Sequence, residues 1–285
     1  MGLPPAYLDT EYCKGDEIMN KLFKLSLLLF VMSLLVGCSS TTLPGTFGAE
    51  RKQFIILPEN DYHIQAALDY GNMIGQLKQK GQLVENAQVR RVAQRLINQT
   101  NHYRIDAPNW NWQVNVIKND SINAFAMPGG KIAVFTGMIT KVKPTDDELA
   151  AVMGHEIAHA LREHSREKAS KAAAGRLTTK LVTSYAGLGE YGNLAVQLFE
   201  KYGWNLPNSR SAETEADLIG LELMSRAGYN PNAAVTFWQK VAAANNSNNG
   251  ISFLSTHPGT ENRIKKIQET IPRMMVYYDQ SKQLK

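Results

Sequence analysis

The segment "ELAAVMGHEIAHALREH", residues 148–164, constrains the fold more than any other stretch of the chain. Its first fourteen positions are apolar apart from Glu148, His155, Glu156 and His159. A helix apolar on all sides is buried in a core, where ionisable groups are costly unless they are paired or bound to a metal. The rest of the chain must therefore wrap this helix and give the three side chains in its middle their partners.

Local signals support the helix. Thr145 and Glu148 stand in a capping-box pattern, and Asp146 and Asp147 suit the positive helix end. His155 and His159 are four residues apart, so their directions differ by about 40° and both imidazoles can meet one metal ion. Glu156 points about 100° from His155, beside such an ion, where it can hold a water. This is the H-E-x-x-H arrangement of zinc metalloproteases. Zinc lowers the pKa of water to about 7, and a neighbouring carboxylate can take the released proton.

A catalytic zinc takes a third protein ligand. The metzincin extension is excluded, because Arg162 and Ser165 stand where its glycine and histidine belong. If the helix continues, His164 falls on its opposite face, an outer support or a surface group. Glu213 in "SRSAETEADLIG" is the better candidate, with Asp217 four residues on and on the same helical face. Glu213 could bind zinc while Asp217 accepts the outer N–H of His155. An acidic surface helix fits that spacing equally well. Glu215 points elsewhere and is expected in solvent.

The rest of the chain reads as one body. Helices are expected near 60–80 and 85–99, the second with Val89, Val92, Leu96 and Ile97 on one face. "WNWQVNVI" alternates with a period of two and predicts a half-buried strand. "INAFAM" and "KIAVFTG" predict two more strands around a Pro128-Gly129-Gly130 turn. Further helices are expected near 166–185, 192–202, 211–227, 231–244 and 260–270. The fold class is α+β: a mainly helical, zincin-like metalloprotease domain over 59–272 with one small β-sheet, then a C-terminal tail over 273–285.

The N-terminal region has a different character. Residues 19–38, "MNKLFKLSLLLFVMSLLVGC", have the plan of a secretory signal peptide over 19–37. Their end resembles a bacterial lipobox, which makes Cys38 a lipidation site, followed by a flexible tether over 38–58. Residues 1–18 carry four acids against one lysine, which suits neither part and suggests a non-native extension before Met19. The net charge of +5 without a basic block excludes dedicated nucleic-acid binding. Ser39 after the cysteine points to the bacterial outer membrane, with the domain facing the periplasm.

Four motifs, "NAFAMPGGKIAVFTGMI", "HEIAHALREHS", "SRSAETEADLIGLELMSRAGYNP" and "STHPGTENRI", occur in that order. Together they resemble the gluzincin family that contains the CAAX-prenyl proteases, the HtpX-type membrane proteases and the Oma-type mitochondrial proteases, with a bacterial periplasmic lipoprotein branch as the nearest part. The resemblance runs from about residue 60 to 272. It implies one Zn2+ per chain held by His155, His159 and Glu213, with Glu156 as catalytic base and Asp217 behind the ligands. It also draws His257, in a loop before the last helix, toward the metal as a fourth ligand or a substrate contact; an ordinary turn histidine is an equal alternative.

The expected function is membrane-anchored zinc endopeptidase action on unfolded or misassembled envelope proteins, with outer-membrane assembly machinery as a further partner. Asn123 and Ala124 are expected to line the cleft on an edge strand to which a peptide can add; Phe125 and Met127 are read as core. Arg210 is read as structural or as an oxyanion partner, and His63 and His102 as surface residues. The rival reading is a chaperone-like or assembly-factor lipoprotein whose zinc is structural. A cell-wall amidase is a weaker alternative.

Overall fold

Thr145 opens the helix that the other elements surround. In a computed structural model of the protein, described for residues 19, 21–26, 38–186, 208–246, 253–258 and 260–283, its hydroxyl accepts the Glu148 N–H at 3.2 Å. The Glu148 carboxylate in turn accepts the Thr145 N–H at 2.9 Å, which completes the expected capping box. The helices are α1 (Glu59–Gln79), α2 (Ala87–Ile97), α3 (Thr136–Val142), α4 (Asp146–Leu161), α5 (His164–Ala186), α6 (Arg210–Arg226), α7 (Ala233–Asn246), the single turn α8 (Phe253–Thr256) and α9 (Thr260–Gln283). Every residue of α4 from Glu148 to Leu161 is buried. The expected helix near 192–202 lies outside the described residues.

The small sheet has the order β3 (Leu83–Val84), β4 (Gln113–Ile117), β6 (Lys131–Phe135), β5 (Ala124–Met127). β4 and β6 run parallel, and β5 pairs antiparallel with β6 through the Pro-Gly-Gly turn, so β5 is an edge. The alternation beginning at Trp110 enters the ladder only at Gln113. Trp112 lies flat over Gly130, where a Cβ would stand 2.6 Å from the ring, and its Nε1 donates to the Ala107 carbonyl at 2.8 Å. The indole is thus fixed by the turn beneath it before the strand begins.

The crossing of α4 and α6 decides how the site is built. Gly154 and Gly220 face each other: a Cβ on Gly220 would lie 2.7 Å from the His155 nitrogen, and one on Gly154 would lie 2.9 Å from the Gly220 carbonyl oxygen. Two helices without side chains at the crossing come close enough for a carboxylate on one to reach imidazoles on the other. The aromatic rings of Trp238 on α7 and Phe253 on α8 pack against His155 from the other side.

Two expected boundaries shift. The segment read as a flexible tether packs onto the domain. Cys38–Ser39 pairs with Gln53–Phe54 as β1 and β2. Gln53 is fully buried, with its amide donating to the Arg162 carbonyl and to Glu167 at 3.0 Å. Arg51 forks onto Glu167 at 2.7 Å and Glu215 at 3.0 Å. At the other end, the last helix runs through Pro272 to Gln283 instead of giving way to a tail. Pro272 removes one backbone donor, but Met274 is buried in the core beyond it and the Arg226 guanidinium lies 3.8 Å from the Tyr277 ring centre. Among the described residues no helix is long and apolar enough to cross a membrane.

Candidate metal centre and cleft

His155 and His159 project from α4 toward Glu213 on the first turn of α6. Their Nε2 atoms are 3.0 Å apart, and each lies within 3.3–3.4 Å of a Glu213 oxygen. Ligands about 2.0–2.1 Å from a tetrahedral zinc stand about 3.3 Å from one another, so the donor set fits zinc in both type and spacing. His257 joins it: its Nδ1 lies 3.1 Å from His155 Nε2 and 3.0 Å from a Glu213 oxygen. Ligand atoms of all four residues fall within 4.8 Å of one another, and all four residues are buried.

Charge supports the same reading. Burial pushes the Glu213 carboxyl up, but His155, His159 and His257 overcome it and hold the group far below the usual carboxylate range. Burial drives His159 well below its ordinary value. Burial also lowers His155, yet Asp217 and Glu213 outweigh it and raise that ring to about 9. Desolvation raises Glu156. Glu156 receives the Ala126 backbone N–H, while its Oε1 is buried with no hydrogen-bond partner. That oxygen lies 3.3 Å from His257 Nε2, and buried polar atoms without hydrogen-bond partners are rare enough to require an explanation.

Asp217 Oδ1 lies 3.0 Å from His155 Nδ1. Sequence reasoning did not single out Arg263. Its guanidinium spans Asp217 at 2.6 and 2.7 Å and Glu213 at 2.9 Å, and it stacks 3.9 Å over the Trp238 ring. The available signal was its position six residues after His257 inside the "STHPGTENR" stretch. Arg210, the arginine considered from sequence, is exposed at the start of α6.

Three side-chain expectations change. His164 belongs to a new helix: the backbone turns at Glu163, whose φ of 50° is left-handed, and this brings His164 Nδ1 to 2.8 Å from His159 Nδ1. It is buried against His159, so of the two alternatives the outer support fits and the surface group does not. Glu215 is 6% exposed instead of solvated, paired with Arg51, Arg162 and His164. Arginines contributed by the residue 38–58 segment and by the α4–α5 turn, invisible to helical spacing, draw it inward. His63 is half-buried against Glu163 at 3.0 Å, while His102 is exposed.

A cleft of about 410 Å³ opens onto Glu156, His159 and His257, with Asn123, Ala124 and the rest of β5 forming one wall. The Phe135 N–H donates to the Asn123 carbonyl at 3.0 Å, so the main-chain groups of Ala124 and Ala126 face away from β6, toward the cleft. The Asn123 side chain accepts the Ala124 N–H at 3.0 Å. Phe125 and Met127 are half-buried against the Tyr70 cluster, as read from sequence, and also border the cleft.

Comparison with known proteins agrees with this geometry. The model of Peptidase family M48 matches residues 84–271. The mitochondrial metalloendopeptidase OMA1 of Schizosaccharomyces pombe is 42% identical over 58% of this chain and 48% of its own length. Metalloprotease LoiP of Escherichia coli is 30% identical over 56% of this chain and 62% of its own length. A Vibrio cholerae protease named for enhancing beta-barrel assembly is 30% identical over 54% of this chain and 33% of its own length. The chain spans about half the length of the first of these relatives.

Proposed function

The chain belongs to peptidase family M48, its buried His155, His159 and Glu213 could hold one metal ion, and from this we propose that the whole protein is a zinc metalloendopeptidase. In this reading it is anchored to the bacterial outer membrane through lipidated Cys38 and cleaves exposed segments of unfolded or misassembled envelope proteins. The observation that carries the activity is the buried Glu156 carboxylate with a free oxygen, set beside a complete ligand set at the mouth of a cleft.

Zinc bound there supplies a Lewis acid that polarises the scissile carbonyl and makes a water acidic. Glu156 accepts the proton of that water and delivers it to the departing amine, with no covalent bond to the enzyme. Asp217 orients His155, and Arg263 holds Asp217 and Glu213 in place. β5 offers the outward carbonyls of Ala124 and Ala126 to an extended peptide, whose arrival can also displace the Asn123 side chain from the Ala124 N–H, a mode of recognition that tolerates many sequences and suits unfolded clients. His257, whose Nδ1 lies 3.1 Å from His155 Nε2 and 3.0 Å from a Glu213 oxygen, would join the residues that hold zinc at rest or would touch the bound substrate. The name of the Vibrio cholerae relative supports outer-membrane assembly machinery as a partner.

Glu156→Gln tests the activity on an unfolded protein substrate. It is expected to lower kcat by about 10²–10⁴ with zinc content unchanged, and the same variant should trap clients in cells. Equal cleavage by variant and wild type, or cleavage by neither while clients are still rescued in cells, would favour a chaperone with a structural metal. For His257→Ala, unchanged zinc content, resting activity and affinity for a transition-state analogue would remove this residue from the mechanism.

A further inference from the structure

The two histidines of α4 differ in what holds their outer nitrogens. His155 Nδ1 faces a carboxylate, Asp217 Oδ1, at 3.0 Å. His159 Nδ1 faces another imidazole, His164 Nδ1, at 2.8 Å. Two ring nitrogens at that distance share a single proton, and the distance does not say which ring owns it.

Glu215 breaks the tie. Its Oε2 lies 2.9 Å from His164 Nε2. An ionised carboxylate only accepts hydrogen bonds, so His164 keeps its hydrogen on Nε2. Neutral His164 then presents a lone pair at Nδ1 and accepts the hydrogen from His159 Nδ1. That leaves a lone pair at His159 Nε2, the atom 3.0 Å from His155 Nε2 and 3.3 Å from Glu213 Oε1. With the opposite assignment, His159 would turn an N–H toward the other ligands and could not bind a cation.

Glu215 is fixed in turn. Arg51 grips both of its oxygens at 3.0 Å, and the Arg162 guanidinium adds a contact at 3.2 Å. His164, Glu215 and Arg162 are all buried, which favours these direct contacts over solvent. The sequence is continuous in space: Arg51 on the N-terminal segment, Glu215 on α6, His164 at the start of α5, His159 on α4.

We propose that His164 and Glu215 are positioning residues that set the tautomer of His159 and thereby its ability to bind zinc. The inference rests on the zinc-site reading of the preceding subsection. Partners behind a metal-bound histidine commonly change metal affinity by about 10–100-fold, and an intervening imidazole relays the orienting effect of a carboxylate one ring further out.

The test uses the full chain, zinc titrated against a fluorescent chelator and side-chain ¹⁵N spectra of the zinc-loaded protein. Wild type is expected to show His159 protonated at Nδ1 and His164 protonated at Nε2, a result that depends on no variant. His164→Ala keeps the Glu215–arginine pairs and is expected to lose at least about tenfold in zinc affinity, together with the protected His159 Nδ1–H signal. Glu215→Gln is expected to lower affinity in the same direction. Glu167→Gln, which removes the other carboxylate on Arg51 but not the link to His159, is expected to leave affinity unchanged. A wild-type spectrum with His164 protonated at Nδ1, or wild-type affinity in folded His164→Ala, would overturn the inference. Failure of the wild type to take up one zinc would instead overturn the zinc-site reading itself.

Discussion

Among the described residues, two clusters of histidine and carboxylate lie within ligand distance, and they settle their charge in different ways. Around His155, His159, Glu213 and His257, one guanidinium, Arg263, serves both Asp217 and Glu213, and Glu156 keeps an oxygen with no hydrogen-bond partner, 3.3 Å from His257 Nε2. Around Glu59, His63 and Glu163, two guanidiniums fill the space: Arg104 reaches Glu59 at 2.6 Å and Glu163 at 2.9 Å, and Arg166 pairs with Glu163. In the first cluster the Glu156 carboxylate has no guanidinium or ammonium partner. In the second every carboxylate, including Asp106 on Arg104 at 2.9 Å, is paired with a guanidinium. Proximity of ligand-type side chains does not make a metal site; an unmet demand for positive charge does.

The largest expected effect separates the two clusters directly. Glu213→Ala should reduce bound zinc from one per chain toward none and abolish peptidase activity, while His63→Ala should retain one zinc, both by metal analysis of purified protein. A zinc content halved by His63→Ala would erase the distinction.

Removing a cation from the second cluster should cost stability instead of metal. Arg104→Met leaves fully buried Glu163 with one guanidinium and should destabilise the fold by about 2–4 kcal/mol, measured by denaturant unfolding, with zinc affinity unchanged. Gly220→Ala acts on the first cluster through the backbone. A methyl 2.7 Å from the His155 nitrogen pushes α4 and α6 apart, at a cost of about 1–3 kcal/mol in overpacking. Unlike Arg104→Met, it should also weaken zinc binding, because it moves Glu213 relative to both imidazoles.

The smallest effect is one of pH. Burial pushes Glu163 up, but His63, Arg166 and Arg104 outweigh it and hold its carboxyl below the ordinary 4.5. The folded state therefore binds fewer protons there than the unfolded chain. The stabilisation is present above about pH 4.5 and is lost as pH falls through the lower folded value. The stability gap between wild type and Glu163→Gln should be widest near neutrality and shrink in acid; a gap that widens in acid would reverse the assignment of charge.

Much of this was legible in the chain because it rested on local repeats. The burial of α4 followed from an apolar run, the capping box from Thr145 and Glu148, and the β5–β6 hairpin from Pro-Gly-Gly between two short strand-like runs. What was missed depends on backbone turns and on partners distant in sequence. Helical spacing put His164 on the far face of α4 because it assumed an unbroken helix; one left-handed residue, Glu163, reversed that. Glu215 looked solvated because its partners Arg51 and Arg162 come from other segments. Nothing in the sequence marked Gly154 and Gly220, and only the crossing shows why nothing larger fits there.

The ordered pairing of Cys38–Ser39 with Gln53–Phe54 bears on how such a domain would meet a bilayer. Were an acyl chain carried by Cys38, it would be joined to a docked strand and not to a slack leash. The body would ride directly on the lipid headgroups at a set height and tilt. Clients would have to come down to the membrane surface to be cut, and reach would be governed by where they are released, not by how far the enzyme can swing.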